Sequence, residues 1–404
     1  MSAGTNAPLL NALEPVRAIA HEMIALRREL HSHPELGFEE NVTSQRIARL
    51  LRDWGYNVTC GIGRTGVVGT LRAGSGKLRL GLRADMDALP ITELSGVPHA
   101  SRRAGLMHAC GHDGHTATLL AAARVLAQAP GFSGTLILIF QPAEEGLGGA
   151  QAMLDDGLFE RFPCDRLYGF HNTPGVPAGR IGVREGAANA SQDQVAITLR
   201  GRGGHGARPH LTVDPIVVAS HLVLALQTLV SREVHPDDMA VLSVGALHAG
   251  DAPNVIPDTA TLRLSVRSRS EAVRAQLRER IIEMTHAQAA VHRASATIDY
   301  MDLHPVTIND REAVAMLRDE VIALWGDAAL MAHWPPSTAS DDIALLLQRV
   351  PGCYFNVGNG VGDAIGMGGC PVHHARYDFN DDILPSTASL LVKLVRRFLV
   401  GDVS

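Results

Sequence analysis

The stretch GTLILIFQPAEEG (134–146) joins an unbroken apolar run to a pair of adjacent carboxylates. Residues 135–140 are too short for a helix and too uniformly apolar for a half-exposed strand. They predict a strand buried on both faces, the kind that helices cover on each side. Upstream, the Ala- and Leu-rich residues 116–129 predict a helix, and 67–71 and 78–83 predict short strands. Residues 15–30 and 43–54 carry apolar side chains at helical spacing, the second stretch closed by Gly55. Downstream, 150–158 predicts a helix and 167–171 a strand. Helix and strand alternate, so this part of the chain predicts a layered α/β domain.

The pattern changes near Gly186. Residues 194–200 alternate like a half-buried strand, 214–231 predict a long helix, and 240–248 and 259–267 predict strands. A helix over 271–290 and a strand over 295–301 complete a β-α-β-β-α-β order, the ferredoxin-like arrangement. A further helix over 312–325 returns the chain to α/β character. The expected organisation is a discontinuous α/β domain over 1–186 and 303–404 with an α+β domain, 187–302, inserted in it. The glycine-rich residues 358–369 predict a loop and lack the lysine of a phosphate-binding loop.

Of the 404 residues, 46% are hydrophobic and 19% charged, which excludes a mainly disordered chain. The formal charge of -6 argues against nucleic acid or an anionic membrane as the main partner. The apolar residues 216–230 are interrupted by Ser220, His221, Gln227 and Thr228, so no membrane span is expected. The N-terminus lacks the basic and apolar regions of a secretory leader, and five unpatterned cysteines do not form a disulfide framework. These features point to a reducing cytoplasm. The 19 histidines stand out and direct attention to metal or acid–base chemistry.

The densest cluster is MHACGHDGHT (107–116). Cys110 and His112, two residues apart in a turn or extended segment, can converge on a metal, and thiolate and imidazole suit zinc and similar divalent ions. Glu144 and Glu145 lie just past the buried strand, where α/β folds place their ligands. Two adjacent glutamates can divide metal binding from proton transfer, although for that pair alone acidic residues at a solvated helix start are the more ordinary reading. His171 ends another strand, and His373 and His374 follow the glycine-rich loop. Together these positions fit a two-metal hydrolytic site.

Ordered motifs along nearly the whole chain carry a resemblance. They are RRELHSHPELGFEE (27–40), LRADMDALPI (82–91), MHACGHDGHT, FQPAEEG (140–146), GFHNTPGVPAG (169–179), GRGGHGARPH (201–210), APNVIPD (252–258), STASDD (337–342) and VHHARYDFND (372–381). The sequence resembles the M20 peptidase family of metal-dependent amidohydrolases, in the branch of hippurate hydrolases and auxin-conjugate hydrolases. The resemblance implies two divalent ions (zinc, manganese, cobalt or nickel) held by Cys110, His112, Glu145, His171 and His373, with the Cys110 thiolate shared. It implies that Glu144 is the general base that activates a water and then protonates the leaving amine. Asp85 would steer a ligand from behind, and His205 would stabilise the oxyanion in a partner subunit's site. Asn254 and Arg267 would hold the substrate, Arg267 at its free carboxylate. The implied partners are a small amide substrate and a second copy of the chain, joined through the inserted domain, which would act as a dimerisation and lid domain. The implied substrates are N-acyl amino acids such as hippurate and N-acetyl- or indole-acetyl-amino acids.

Other readings stand beside it: a dipeptidase, deacetylase or carbamoyl-amino-acid hydrolase of the same fold, a non-catalytic metal or ligand sensor, and a metal-free thiol hydrolase with Cys110, His112 and Asp113 as nucleophile, base and orienter. The sequence departs from the family pattern at Ala375, where proline is usual, at Asp341, where glutamate is usual, and at Asn189, where an apolar residue is usual. Whether His373 or His374 is the last ligand depends on register.

Overall fold

The computed structural model describes residues 11–362, 364 and 366–400, in two compact units. The N-terminal residues 1–10, part of the region read as free of a leader, and Asp363 and Ile365 of the glycine-rich stretch lie outside the described residues. The first unit takes in 11–186, 308–335 and the described part of 345–400, and the second 187–307 and 336–344.

The first unit is built on a seven-stranded mixed sheet. Its centre is parallel: Gly134–Gln141, Arg79–Asp85, Arg166–Pro174 and Gly352–Gly360, in that order. Antiparallel strands flank it, Gly66–Ala73 and Asn57–Ile62 on one side and Ile181–Gly182 on the other. From Leu136 to Gln141 every residue is buried, as the apolar run predicts. The helix His112–Gln128 is buried on almost every side and packs on both Glu14–Ser32 and Ile383–Phe398. Its alanines (Ala117, Ala121, Ala122, Ala123) are what allow neighbours so close all round.

Three local expectations need correction. The helix expected from residue 116 starts at His112, because Gly111 adopts φ 96° and turns the chain directly into it. The single helix expected over 150–158 is two short ones, Gly149–Asp155 and Leu158–Arg161, divided at Gly157 with φ 75°. The strand Gly352–Gly360 takes in the first residues of the stretch read as a loop. Its sequence GCYFNVGNG has neither alternation nor a continuous aliphatic run.

The second unit is a four-stranded antiparallel sheet in the order Ala240–His248, Thr259–Ser268, Gln192–Arg200, Ser295–His304, with the helices Pro215–Thr228 and Glu271–Val291 packed on it. Numbered along the chain, the strand order is 2-3-1-4, which is ferredoxin-like. Among the described residues, Pro215–Glu233 is long and apolar enough to cross a membrane by length and composition. Here its Val218, Ala219, Leu222, Leu226 and Leu229 form one side of this unit's core. The strand Ser295–His304 runs past the boundary expected at residue 302, and residues 336–344 return to the second unit.

Candidate metal centre

The parallel strands deliver their carboxyl ends to one edge of the sheet, where Asp85 lies level with Gln141. The loop after Arg79–Asp85 therefore carries Asp87 beside the turn that carries Glu144 and Glu145, while His171 sits within the neighbouring strand. Cys110 reaches this edge because of Gly111. A Cβ there would lie 2.4 Å from Asn172 Oδ1 and 2.5 Å from the Tyr377 hydroxyl, so only glycine lets the helix start so close.

Ligand atoms of Cys110, His112 and His171 all lie within 4.8 Å of one another, and so do those of Cys110, Glu145 and His373. The buried Cys110 thiol thus belongs to two donor groups at once. A third group joins His112 to Glu144 and Glu145. Cys110 Sγ is 3.2 Å from His171 Nε2, and His373 Nε2 is 3.2 Å from Glu145 Oε1. Burial, with the Glu145 charge beside it, pushes the Cys110 thiol up. Contacts with Cys110 and Glu145 hold the His373 imidazole up at about 10.

Each histidine is aimed by a bond at its other nitrogen. The His112 Nδ1–H donates to the backbone carbonyl and Oδ1 of Asp87, both at 3.0 Å, which leaves Nε2 as the lone-pair atom. That Nε2 is buried and makes no hydrogen bond. The His171 Nδ1–H donates to the carbonyl of Asn172 at 2.6 Å, turning its Nε2 toward Cys110. Asp87 Oδ2 also accepts the Glu145 backbone N–H at 2.9 Å, so one carboxylate orients two candidate ligands. An orphaned imidazole nitrogen among thiol, imidazole and carboxylate donors fits divalent metal, and the doubled donor groups around Cys110 fit two ions.

Asp85 points elsewhere. It accepts from His115 Nδ1 at 2.6 Å and from Arg83 at 2.6 Å, and His112 Nε2 is 3.8 Å away. His115 Nε2 meets Asn172 Oδ1 at 2.7 Å, and Asn172 Nδ2 donates to the Tyr377 hydroxyl at 2.6 Å. Asp85 therefore anchors a buried chain beneath the site, and the steering carboxylate is Asp87. Sequence reading passed over Asp87, His115 and Asn172. All three lie inside motifs already noted, and the second aspartate of RADMD was the available signal.

The thiol-hydrolase arrangement is not formed. Asp113 turns from His112 and sits 2.8 Å from both Arg27 Nε and His31 Nδ1. His373 and His374 part company as well. His373, at φ 64°, donates its backbone N–H to the Ala109 carbonyl at 2.7 Å and turns its ring to Glu145, while His374 Nδ1 lies 3.3 Å from Cys370 Sγ.

The other three expected site residues belong to the second unit. His205 is exposed on a short strand that pairs with Val255–Ile256, and Gly206 N–H bonds the Asn254 carbonyl at 2.8 Å, which brings His205 and Asn254 into one patch. Arg267 is half-buried and donates to the Thr338 carbonyl at 2.9 Å and to Gln192 Oε1 at 3.2 Å.

This donor set, at the carboxyl edge of the parallel centre of the sheet and with the buried Glu144 among its donors, is that of a metal-dependent hydrolase. Residues 81–397 match Peptidase family M20/M25/M40, and the chain belongs to that family. It is 40% identical over 390 residues to the hippurate hydrolase of Campylobacter jejuni, covering 96% of this chain and all of the relative. It is 35% identical to IAA-amino acid hydrolase ILR1-like 5 of Arabidopsis thaliana, covering 95% of this chain and 88% of that one. The crystal structure of the Bacillus subtilis YXEP protein, a dinuclear metal binding peptidase from the M20 family, superimposes with a TM-score of 0.81 at 30% identity, over 95% of this chain and 99% of that one.

Proposed function

We propose that the protein hydrolyses the amide bond of N-acyl amino acids, in the class of hippurate and N-acetyl- or indole-acetyl-amino acids. The observation that carries the reading is Cys110, whose thiol belongs at once to a group with His112 and His171 and to a group with Glu145 and His373. Those five residues would hold two divalent ions (zinc, manganese, cobalt or nickel). When bound, such ions lower the pKa of a water from 15.7 toward about 7 and polarise the substrate carbonyl.

The chain's own residues supply the rest. Glu144 takes a proton from the attacking water on its carboxylate and passes it to the amine that leaves, so the poor leaving group departs neutral. Asp87 keeps the His112 lone pair pointed inward through the Nδ1–H bond. The motifs GRGGHGARPH and APNVIPD support His205 as an oxyanion donor in a partner subunit and Asn254 as a substrate contact. Arg267 suits a free carboxylate, since guanidinium grips one in a bidentate fork. The proposal includes a cytoplasmic homodimer formed through the second unit; sedimentation at the mass of a single chain would oppose it.

The test is turnover on a panel of N-acyl amino acids by protein stripped with chelator, with and without added manganese or zinc. Release of a free amino acid restored by metal, and lost in Glu144→Gln with metal still bound, is expected. Full activity in the stripped protein would overturn the reading. The alternatives of the same fold are separated by the same panel extended to dipeptides and carbamoyl-amino acids.

A further inference from the structure

The stretch HPELGFEE (33–40) supplies no ligand, yet it ends on a fully buried carboxylate, Glu40. Glu40 is the N-cap residue of the helix Asn41–Asp53, but its side chain makes no capping bond. Glu35 does that work instead, accepting the N–H groups of Val42 at 3.2 Å and Thr43 at 2.8 Å. The Glu40 carboxylate reaches away. Oε1 accepts the backbone N–H of Ala143 at 2.8 Å, and Oε2 accepts the Thr65 hydroxyl at 2.6 Å.

Ala143 directly precedes Glu144 and has φ 52°, a left-handed conformation that is strained for an alanine. Three of the five non-glycine residues with positive φ among the described residues are Ala143, which bonds Glu40, Arg64, which directly precedes Thr65, and Phe38, two residues before Glu40. The Arg64 guanidinium lies 4.3 Å from the centre of the Phe38 ring, and a Cβ on Gly37 would come within 3.0 Å of Ala143 Cα and Cβ. Backbone strain persists only where surroundings impose it, and it collects at functional sites. Burial pushes the Glu40 carboxyl up to about 7, against the pull of its bonds to Thr65 and Ala143. A group that serves only to start a helix has no need of that burial.

We infer that Glu40 is a positioning residue for the amide hydrolysis: its carboxylate clamps the strained Ala143 peptide and so aims Glu144 as it leaves the strand Gly134–Gln141. The inference rests on the reading of Glu144 as the proton carrier. A charged acceptor holds this N–H about twice as strongly as a neutral one, and a neutral amide oxygen in the same place still accepts it.

The experiment compares Glu40→Ala, Glu40→Gln, Thr65→Val and Glu144→Gln in the metal-loaded full-length protein, on the best substrate of the N-acyl amino acid panel. Metal content and Tm are measured alongside. Glu40→Ala is expected to lower kcat at least tenfold with KM within twofold of wild type. Glu40→Gln should restore kcat to within threefold of wild type, and Thr65→Val should lower it two- to fivefold. A Glu40→Ala kcat within twofold of wild type overturns the inference, as does equal loss in Glu40→Ala and Glu40→Gln with KM rising in step. If Glu40→Ala does not fold, a wild-type kcat in Thr65→Val overturns it. An active Glu144→Gln defeats the reading of Glu144 and the inference with it; an inactive Glu144→Gln beside an unchanged Glu40→Ala defeats the inference alone.

Discussion

Asp87 does more for the site than its place inside the motif LRADMDALPI suggests. Its two oxygens hold the His112 imidazole and the Glu145 backbone, so removing it loosens two candidate ligands together. Asp87→Ala should weaken zinc or manganese binding about ten- to hundredfold, measured by titration calorimetry on stripped protein. Unchanged affinity would show that the ligands are aimed by packing alone. Behind the site, His31 lies buried between Asp113 and Glu93. Burial alone would lower its pKa, but the charge and hydrogen bond of Asp113, with help from Glu93, hold it at about 9. The folded state therefore keeps this proton from about pH 6.5 to 9, while the unfolded chain, titrating near 6.5, releases it. The contribution is complete below pH 6.5 and is lost as the pH rises through 9. Urea unfolding at pH 6 and pH 9.5 should show wild type losing more stability over that interval than His31→Asn. Equal losses would mean that the proton is not held.

At the scale of elements, the helix His112–Gln128 matters most, because its first turn is part of the site. Sequence pattern found its body from the run of Ala and Leu but set its start four residues late. The polar run CGHDGH carries no helical periodicity, and the start depends on φ 96° at Gly111, packed against Asn172 and Tyr377. Gly111→Ala combines a left-handed penalty with close overlap and should destabilise the protein by about 2–5 kcal/mol. Chemical denaturation measures it, and a cost below 1 kcal/mol would mean the helix start shifts freely. The strand Gly352–Gly360 escaped detection for a related reason. A central parallel strand is covered by neighbours on both faces and needs no alternation, so asparagine and glycine are tolerated where their backbone partners are supplied from outside.

At the scale of the whole molecule, all the candidate ligands belong to the α/β unit, although the chain reaches that unit in several separate passes. Ions that bind the folded state alone stabilise it by about 2.7 kcal/mol at a hundred times Kd. Chelation should therefore lower the melting transition of the α/β unit by several degrees and leave that of the ferredoxin-like unit in place. Scanning calorimetry, with hydrogen exchange to assign the transitions, tests this; a transition indifferent to chelator would oppose the ligand set.

The sequence by itself determined the α/β class, the β-α-β-β-α-β pattern of the second unit and the residue types of the site, because buried runs, amphipathic periods and ordered motifs are local properties of a chain. Only the tertiary structure decided how those residues are used. It set His373 against Glu145 and His374 against Cys370, turned Asp113 to Arg27 and His31, and made Asp87 rather than Asp85 the partner of His112. Each of these choices joins groups distant in sequence through bonds a few ångströms long. Their direction depends on single backbone angles and on which neighbours exclude water, and neither is written in the spacing of residues.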